Sequence, residues 1–564
     1  MRTKLGVSTL VALSLAGCSD PLVAPNDSAA MDVTSADTTA MVDDLVTPPE
    51  DTVQVPDVVM SSDIADVAPA EASADAGPIG SDVVATDTSP ATDGGACAPQ
   101  PASPAQPVSP TLMPERRVTC GCRVGTPSVT AGATDRYLLH GRVVTPVEIH
   151  ARGEVLIVGS TIACVGASGT CSAMPMAAGA TVIQTAGLIY PGLIDGHNHV
   201  SYNWMPEWVP PRSYDDRYQW QRATAYDTFI RPYRDNVGTN ECAMAKYGEA
   251  RAIFAGTTTI QGGPNRTCTR VLARNPEYGS DFGGVDTHQT NILGIGTVDA
   301  AAAMTLRSNM DSGALTAYIV HLGEGINDAS RTEFDTLVSR NLLTRSTVIV
   351  HGTAFFDSHH MQIGAAGAKL VWSPRSNIAL YGDTTDIRAA LARGVIVALA
   401  PDWTPSGAPE ILQELRYARN LSRARWPGLL SERALVEMVT TQAARALDRP
   451  QIGSLTVGRY ADLVVFPDYG CDAYSSLIDA VAADTQLVFV AGKPLYGDAA
   501  LMRAMPAAVQ TGCESVDVCG SARTVCLARP GASDQMDQTL AQVSATISGF
   551  FPGRLPLVPR CPMP

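Results

Sequence analysis

The chain has nine histidines, and three short stretches place four of them, with one aspartate, in the same local setting. His197 and His199 follow the apolar run Leu193-Ile194, in Pro191-Gly192-Leu193-Ile194-Asp195-Gly196-His197-Asn198-His199. His321 closes Tyr318-Ile319-Val320, and His351 closes Val348-Ile349-Val350. Asp402 follows Val397-Ala398-Leu399-Ala400-Pro401. On a strand, residues i and i+2 point to the same face, so the imidazoles of His197 and His199 can grip one ion. Neutral imidazole together with carboxylate suits zinc or iron, and an incomplete protein shell leaves a coordination position for water. A carboxylate at the end of a run as apolar as the one before Asp402 is costly to bury unless it is paired or bound to a metal.

Strands that end in such residues need a frame that gathers their ends. Thr257–Ile260, Ala317–Val320, Thr347–Val350, Lys369–Trp372 and Val395–Leu399 are apolar on both faces and alternate with helical segments. That texture predicts a parallel sheet built from βα units. About 250 residues of it suit a (β/α)8 barrel, whose active sites lie at the C-terminal ends of the strands. The reading is therefore an α/β chain with a barrel over 191–445. Short Gly-broken β runs over 135–190, echoed over 446–500, predict a small composite β-sandwich formed from both flanks. Between Thr267 and Leu315 the strand signal is weak. Residues 501–564 hold four cysteines and read as a Cys-containing C-terminal extension.

The first 18 residues have a different character. Arg2 and Lys4 precede an apolar stretch that ends in Leu15-Ala16-Gly17-Cys18. This is a signal peptide, and its ending resembles a bacterial lipobox. The expectation is export, cleavage before Cys18 and lipid attachment at Cys18, leaving the chain anchored to the cell envelope. Residues 19–115 hold 17 acidic residues and no Lys or Arg, and they read as a disordered acidic tether. From Arg116 on there are 39 acidic and 38 basic residues. A nearly neutral body of this kind argues against a nucleic-acid partner. No apolar run after the N-terminus is long enough to span a bilayer. Twelve cysteines remain besides Cys18, none in a Cys-x-x-Cys pair, and in an oxidising compartment they read as disulfides. Cys164 and Cys171 flank a short Gly/Ser loop and can bridge locally.

With these pieces in view the chain resembles the amidohydrolase superfamily over roughly 136–500. The matching pieces are the His197-Asn198-His199 motif, His321-Leu322-Gly323-Glu324, His351, Ser373-Pro374-Arg375-Ser376-Asn377, Asp402, and Gly458 to Leu463. It is most similar to the mononuclear branch of cytosine deaminases, triazine hydrolases and imidazolonepropionase-like enzymes. The resemblance implies one divalent metal, zinc or iron, held by His197, His199, His321 and Asp402. It implies that Glu324 relays protons and that His351 orients or deprotonates the metal's water, with Asp402 counted among the catalytic groups. The reaction implied is hydrolysis of a C–N bond in a small planar molecule, as in a deaminase or a cyclic amide or amidine hydrolase. No lysine lies between Lys246 and Lys369 to bridge a second metal.

Two other readings stay open: a binuclear hydrolase of cyclic amides or dipeptides, and a non-catalytic surface lipoprotein that binds a ligand. Tyr202, Trp204, Asn377 and Trp403 are candidate substrate contacts. Tyr202, Trp204, Trp208, Tyr214, Tyr218 and Trp220 crowd the loop after His199, beside Arg212 and Arg217. That loop either stacks a planar substrate and offers arginine to a carboxylate, or forms a lid packed by its own aromatics. Oligomeric state is not legible.

Overall fold

β-Branched runs broken by glycine become strands at both ends of the folded region. In the computed structural model the described residues are 120–121, 123–263, 272–528 and 537–558. They belong to the second of two compact units, Thr88–Pro564. The expected signal peptide with Cys18, and the whole of the tether, lie outside the described residues.

The strands Ser128–Thr130, Arg136–Val144, Ile149–Val158, Thr161–Ala167 and Thr181–Pro191 come from before the barrel. Leu463–Pro467, Leu487–Val490, Lys493–Asp498, Glu514–Val518 and Ser521–Val525 come from after it. Leu463–Pro467 runs antiparallel to Thr181–Pro191, with Leu463 opposite Pro191. The two flanks thus form one ten-stranded sheet. Strand alternation divides its side chains. Leu463 and Val465 enter a core with Leu139, Ile157 and Phe489, whereas Val464 and Phe466 join the main core with the barrel helices.

Sequence reading set residues 501–564 apart, but two of this sheet's strands come from there. The hairpin Glu514–Val525 turns through Cys519 and Gly520, both at positive φ, as a two-residue hairpin turn requires. The Cys513–Cys526 disulfide brackets it. Cys164–Cys171 closes the predicted local loop, and Cys120–Cys471 joins the two flanks.

The barrel strands are β1 (Leu193–Asp195), β2 (Thr257–Ile260), β3 (His288–Asn291), β4 (Ala317–Leu322), β5 (Thr347–His351), β6 (Lys369–Trp372) and β7 (Ile396–Leu399). β3 to β7 form a parallel ladder in chain order, and β1 pairs in parallel with β2. Among the described residues between β2 and β3, a parallel bridge joins Thr259 to Arg274. A second bridge, Asn198 to Asp402, joins the segments after β1 and β7. The fold is the (β/α)8 barrel. β4 and β5 are buried on both faces, which is why their sequences are apolar runs without alternation.

The helix Thr224–Phe254 departs from helical geometry at Gly238, and every residue from Ala243 to Phe254 is buried. The helix Leu540–Phe550 packs on it. Among the described residues no helix is long and apolar enough to cross a membrane.

Candidate metal centre

The strand ends converge as the frame requires. Ligand atoms of His197, His199, His321 and Asp402 all lie within 4.8 Å of one another. Asp402 Oδ1 is 3.5 Å from Nε2 of both His197 and His199. His351 and Asp402 have φ of +74° and +71°. Left-handed backbone at a residue other than glycine costs about 1–3 kcal/mol and clusters at functional sites. Here it turns two side chains inward at the ends of β5 and β7.

Hydrogen bonds fix the orientation of each group. His197 Nδ1–H donates to Gln261 Oε1 at 2.7 Å, just past the end of β2. Gln261 Nε2 donates in turn to Thr290 Oγ1 on β3, and that hydroxyl donates to Glu277. With Nδ1 so engaged, His197 Nε2 is left toward the centre, buried and without a hydrogen-bond partner. His321 Nδ1 is buried and unpartnered as well. A buried polar atom left without a partner costs about 1–3 kcal/mol, and an orphaned ring nitrogen on each of two residues of this cluster fits a metal. Ser376 donates to Asp402 Oδ2 at 2.7 Å, leaving Oδ1 for the centre.

The electrostatics agree with a cation site. Burial lowers His199 to about 4, helped by the charge of His197. Burial likewise holds His321 well below the usual histidine range. Both are thus neutral ligands at pH 7. Burial alone would raise Asp402, but its contact with His197 and the surrounding imidazoles outweigh that and hold it well below the carboxylate range. The residues present fit a divalent metal.

Beside the cluster stand His351 and Glu324. His351 Nδ1–H donates to Asn377 Oδ1 at 3.1 Å, and its Nε2 lies 3.7 Å from Glu324 Oε2. Tyr381 donates to Glu324 Oε1 at 2.6 Å. Asn377, expected as a substrate contact, is thus in the first place the orienter of His351. Of the ligands in the cluster, His199 keeps the most exposure, with 24% of its side chain accessible against 1% for His197 and 5% for Asp402. Tyr202 and Trp403 flank it, with ring centroids 6.2 and 5.7 Å from the imidazole.

Trp204 does not join them. It is fully buried and meets Phe550 and Phe551 edge-on at 5.3 and 5.4 Å. The short 3-10 turn Val200–Tyr202 breaks the strand periodicity, so a residue five positions past His199 need not face the mouth. Arg217, for which a substrate anchor and a packed lid were both open, is buried between Glu333 and Glu324, at 3.3 and 3.7 Å. Trp208, Tyr214, Trp220 and Tyr226 pack on one another, with Trp403 at the inner edge, the self-packed form of the aromatic loop. His288 is held by the Leu447 carbonyl.

Sequence reading missed Gln261 and Tyr381, and it met Ser376 only as part of the Ser373 to Asn377 stretch, without a role. Gln261 carried a signal of its own, since a polar residue directly follows the buried strand β2, as His197, His321 and Asp402 follow or close theirs.

The fold is a (β/α)8 barrel, and its ring of imidazole and carboxylate groups is a candidate metal centre. Residues 308–495 match the Amidohydrolase family. A 5-methylthioadenosine/S-adenosylhomocysteine deaminase of Shouchella clausii (strain KSM-K16) is 27% identical over 186 residues, 30% of this chain and 41% of that protein. The deaminase of the same name from Halalkalibacterium halodurans is 30% identical over 134 residues, 22% of this chain and 30% of that protein. The chain matches well under half the length of these curated relatives. Among solved structures, an adenosine deaminase from Xanthomonas campestris with bound zinc has a TM-score of 0.51 at 19% identity, covering 64% of this chain and 92% of that one. A mutant of the atrazine chlorohydrolase TrzN from Arthrobacter aurescens TC1, complexed with zinc and atraton, has a TM-score of 0.51 at 18% identity, covering 64% and 95%. These likenesses establish the fold.

Proposed function

We propose that the chain is a metal-dependent hydrolase that breaks a C–N bond in a small planar molecule, adding OH to carbon and H to nitrogen. The observation that carries this reading is the convergence of His197, His199, His321 and Asp402, two of them with orphaned ring nitrogens, beside the His351–Glu324 pair. These four residues would hold one divalent cation, for which zinc is the natural choice given the donor set. Such a cation supplies Lewis acidity and lowers the pKa of water to about 7.

The chain's own groups do the rest. His351, fixed by Asn377, orients the attacking water through Nε2. Glu324 lies within reach of His351 and carries a proton to the departing nitrogen. Tyr202 and Trp403 flank the exposed edge of His199 and give a flat substrate two aromatic walls. The curated relatives named above act on adenosine derivatives, which supports an amine-bearing heterocycle as substrate.

A binuclear centre is the second reading. Glu324 and His351, with His321, form the only other such cluster among the described residues. The guanidinium of Arg217, 3.7 Å from Glu324, already supplies positive charge there and disfavours a second cation. The ending Leu15-Ala16-Gly17-Cys18 supports an exported, lipid-anchored form, which palmitate labelling lost on Cys18→Ser would test. The activity is tested by loading the chain with zinc and screening 5′-methylthioadenosine, other aminopurines and aminotriazines for amine release. Release that ceases in Glu324→Gln is expected; no release from any of them would overturn the reading.

A further inference from the structure

Glu324 must keep one carboxylate oxygen toward His351 to carry a proton, yet it sits after Gly323, whose φ is +63°. A Cβ on Gly323 would lie 2.4 Å from the Phe355 ring, so the turn from His321 to Glu324 is tightly enclosed. Three groups outside that turn hold it. Tyr381 donates to Glu324 Oε1, and Trp220 Nε1–H donates to the Tyr381 oxygen at 2.8 Å. That second bond occupies the tyrosine as an acceptor and directs its own proton to Glu324. Arg217 lies against Oε2.

Arg217 is itself set in place by Glu333. The Glu333 carboxylate accepts from Arg217 at 3.3 Å, from the Tyr218 hydroxyl at 2.9 Å and from the Gly323 backbone N–H at 2.8 Å. One buried carboxylate therefore grips both the turn that carries Glu324 and the cation that faces Glu324. Leu293 O takes a further N–H of the guanidinium. A planar fork with several fixed donors can join these acceptors where a lysine ammonium can meet only some of them.

We propose that Arg217, Glu333 and Tyr381 are positioning residues for Glu324. The Arg217–Glu333 pair forms a brace that fixes Oε2 toward His351, while Tyr381 fixes Oε1. None of the three hydrogen-bonds to the four ligand residues, so the brace acts on proton transfer rather than by holding the metal ligands. The proposal rests on the reading of Glu324 as the proton carrier.

The test uses zinc-loaded full-length protein in four forms: Tyr381→Phe, Arg217→Lys, the double variant Arg217→Met/Glu333→Gln, and Glu324→Gln. The double variant removes both charges together, because Arg217→Met alone would leave two buried carboxylates unpaired. Two readouts are taken. The first is a crystal structure of each folded variant, which requires no substrate. The Glu324 carboxylate is expected to lose its 3.7 Å approach to His351 in the double variant and to become disordered at Oε1 in Tyr381→Phe. The second is turnover, with kcat expected to fall about tenfold in Tyr381→Phe, the loss of one hydrogen bond to a charged group. A larger fall is expected in the double variant and an intermediate one in Arg217→Lys, with KM and zinc content unchanged. An unmoved Glu324 in both crystal structures overturns the proposal, whatever the activity. Full kcat in Tyr381→Phe and the double variant, with activity lost only in Glu324→Gln, overturns it too, and leaves the hydrolase reading standing. Movement of Glu324 in protein that releases no amine would support the brace and count against the hydrolase reading instead.

Discussion

Gln261→Leu is the substitution whose effect can be worked most fully from the structure. Gln261 is fully buried. Its Oε1 takes the Nδ1 proton of His197, and this is what leaves Nε2 as the ligand atom. Leucine has similar volume and no acceptor, so the ring loses its orienting partner and Thr290 loses a donor. Removing an outer partner of a metal-binding histidine lowers metal affinity by about 10- to 100-fold, or about 1.4–2.8 kcal/mol. The stranded Nδ1–H adds about 1–3 kcal/mol against folding. Competition against a chromophoric zinc chelator reads the first effect, and thermal unfolding of the metal-free protein reads the second. Glu324→Gln, which touches no ligand, serves as the reference and should hold zinc as the wild type does. If Gln261→Leu binds zinc as tightly as the wild type, the argument that the orphaned Nε2 is a prepared ligand atom fails.

Three further outcomes follow from single sites. Glu324→Gln should lower kcat by about 10²- to 10⁴-fold, the usual contribution of a general acid or base, with zinc content unchanged by elemental analysis. Trp204→Ala should destabilise the chain by about 3–5 kcal/mol, read by denaturant unfolding, because its ring packs on Phe550 and Phe551. Glu154 accepts from the backbone of Gly169, Cys171 and Ser172 within the Cys164–Cys171 loop. Burial opposes ionisation there, but these donors outweigh it and lower the carboxyl below its ordinary 4.5. Its contribution to stability is therefore full above that value and is lost as pH falls through the lower, folded-state value. The urea midpoints of wild type and Glu154→Gln should differ at pH 7 and converge in acid; a difference that stays constant with pH would refute the assignment.

The strand ends were legible because buried parallel strands announce themselves as apolar runs, and a histidine or aspartate closing such a run stands out. His197, His199, His321, His351 and Asp402 were all found in this way, and the structure brings them into one neighbourhood. Side-chain direction beyond a strand end was not legible. Trp204 lies only five residues past His199, yet it turns toward the C-terminal helix, because the intervening 3-10 turn has no period that sequence reading could follow. Arg217 was left open between a substrate anchor and part of a packed lid for a related reason. Its partner Glu333 is 116 residues away, and no local pattern links them. The region between Thr267 and Leu315 read weakly because its described barrel residues are a bridge at Arg274 and the four-residue strand β3, whose residues are polar. The hairpin at 514–525 escaped notice because its strands are mostly polar and carry little apolar signal, with only Val518, Arg523 and Val525 buried.

The most direct test of the account is the zinc or iron content of purified chain, measured per polypeptide beside His197→Ala. The account predicts one equivalent in the wild type, lost in the variant while the fold remains by circular dichroism. Equal content in both, or none in the wild type after reconstitution, would contradict the assignment of His197, His199, His321 and Asp402 as a metal centre.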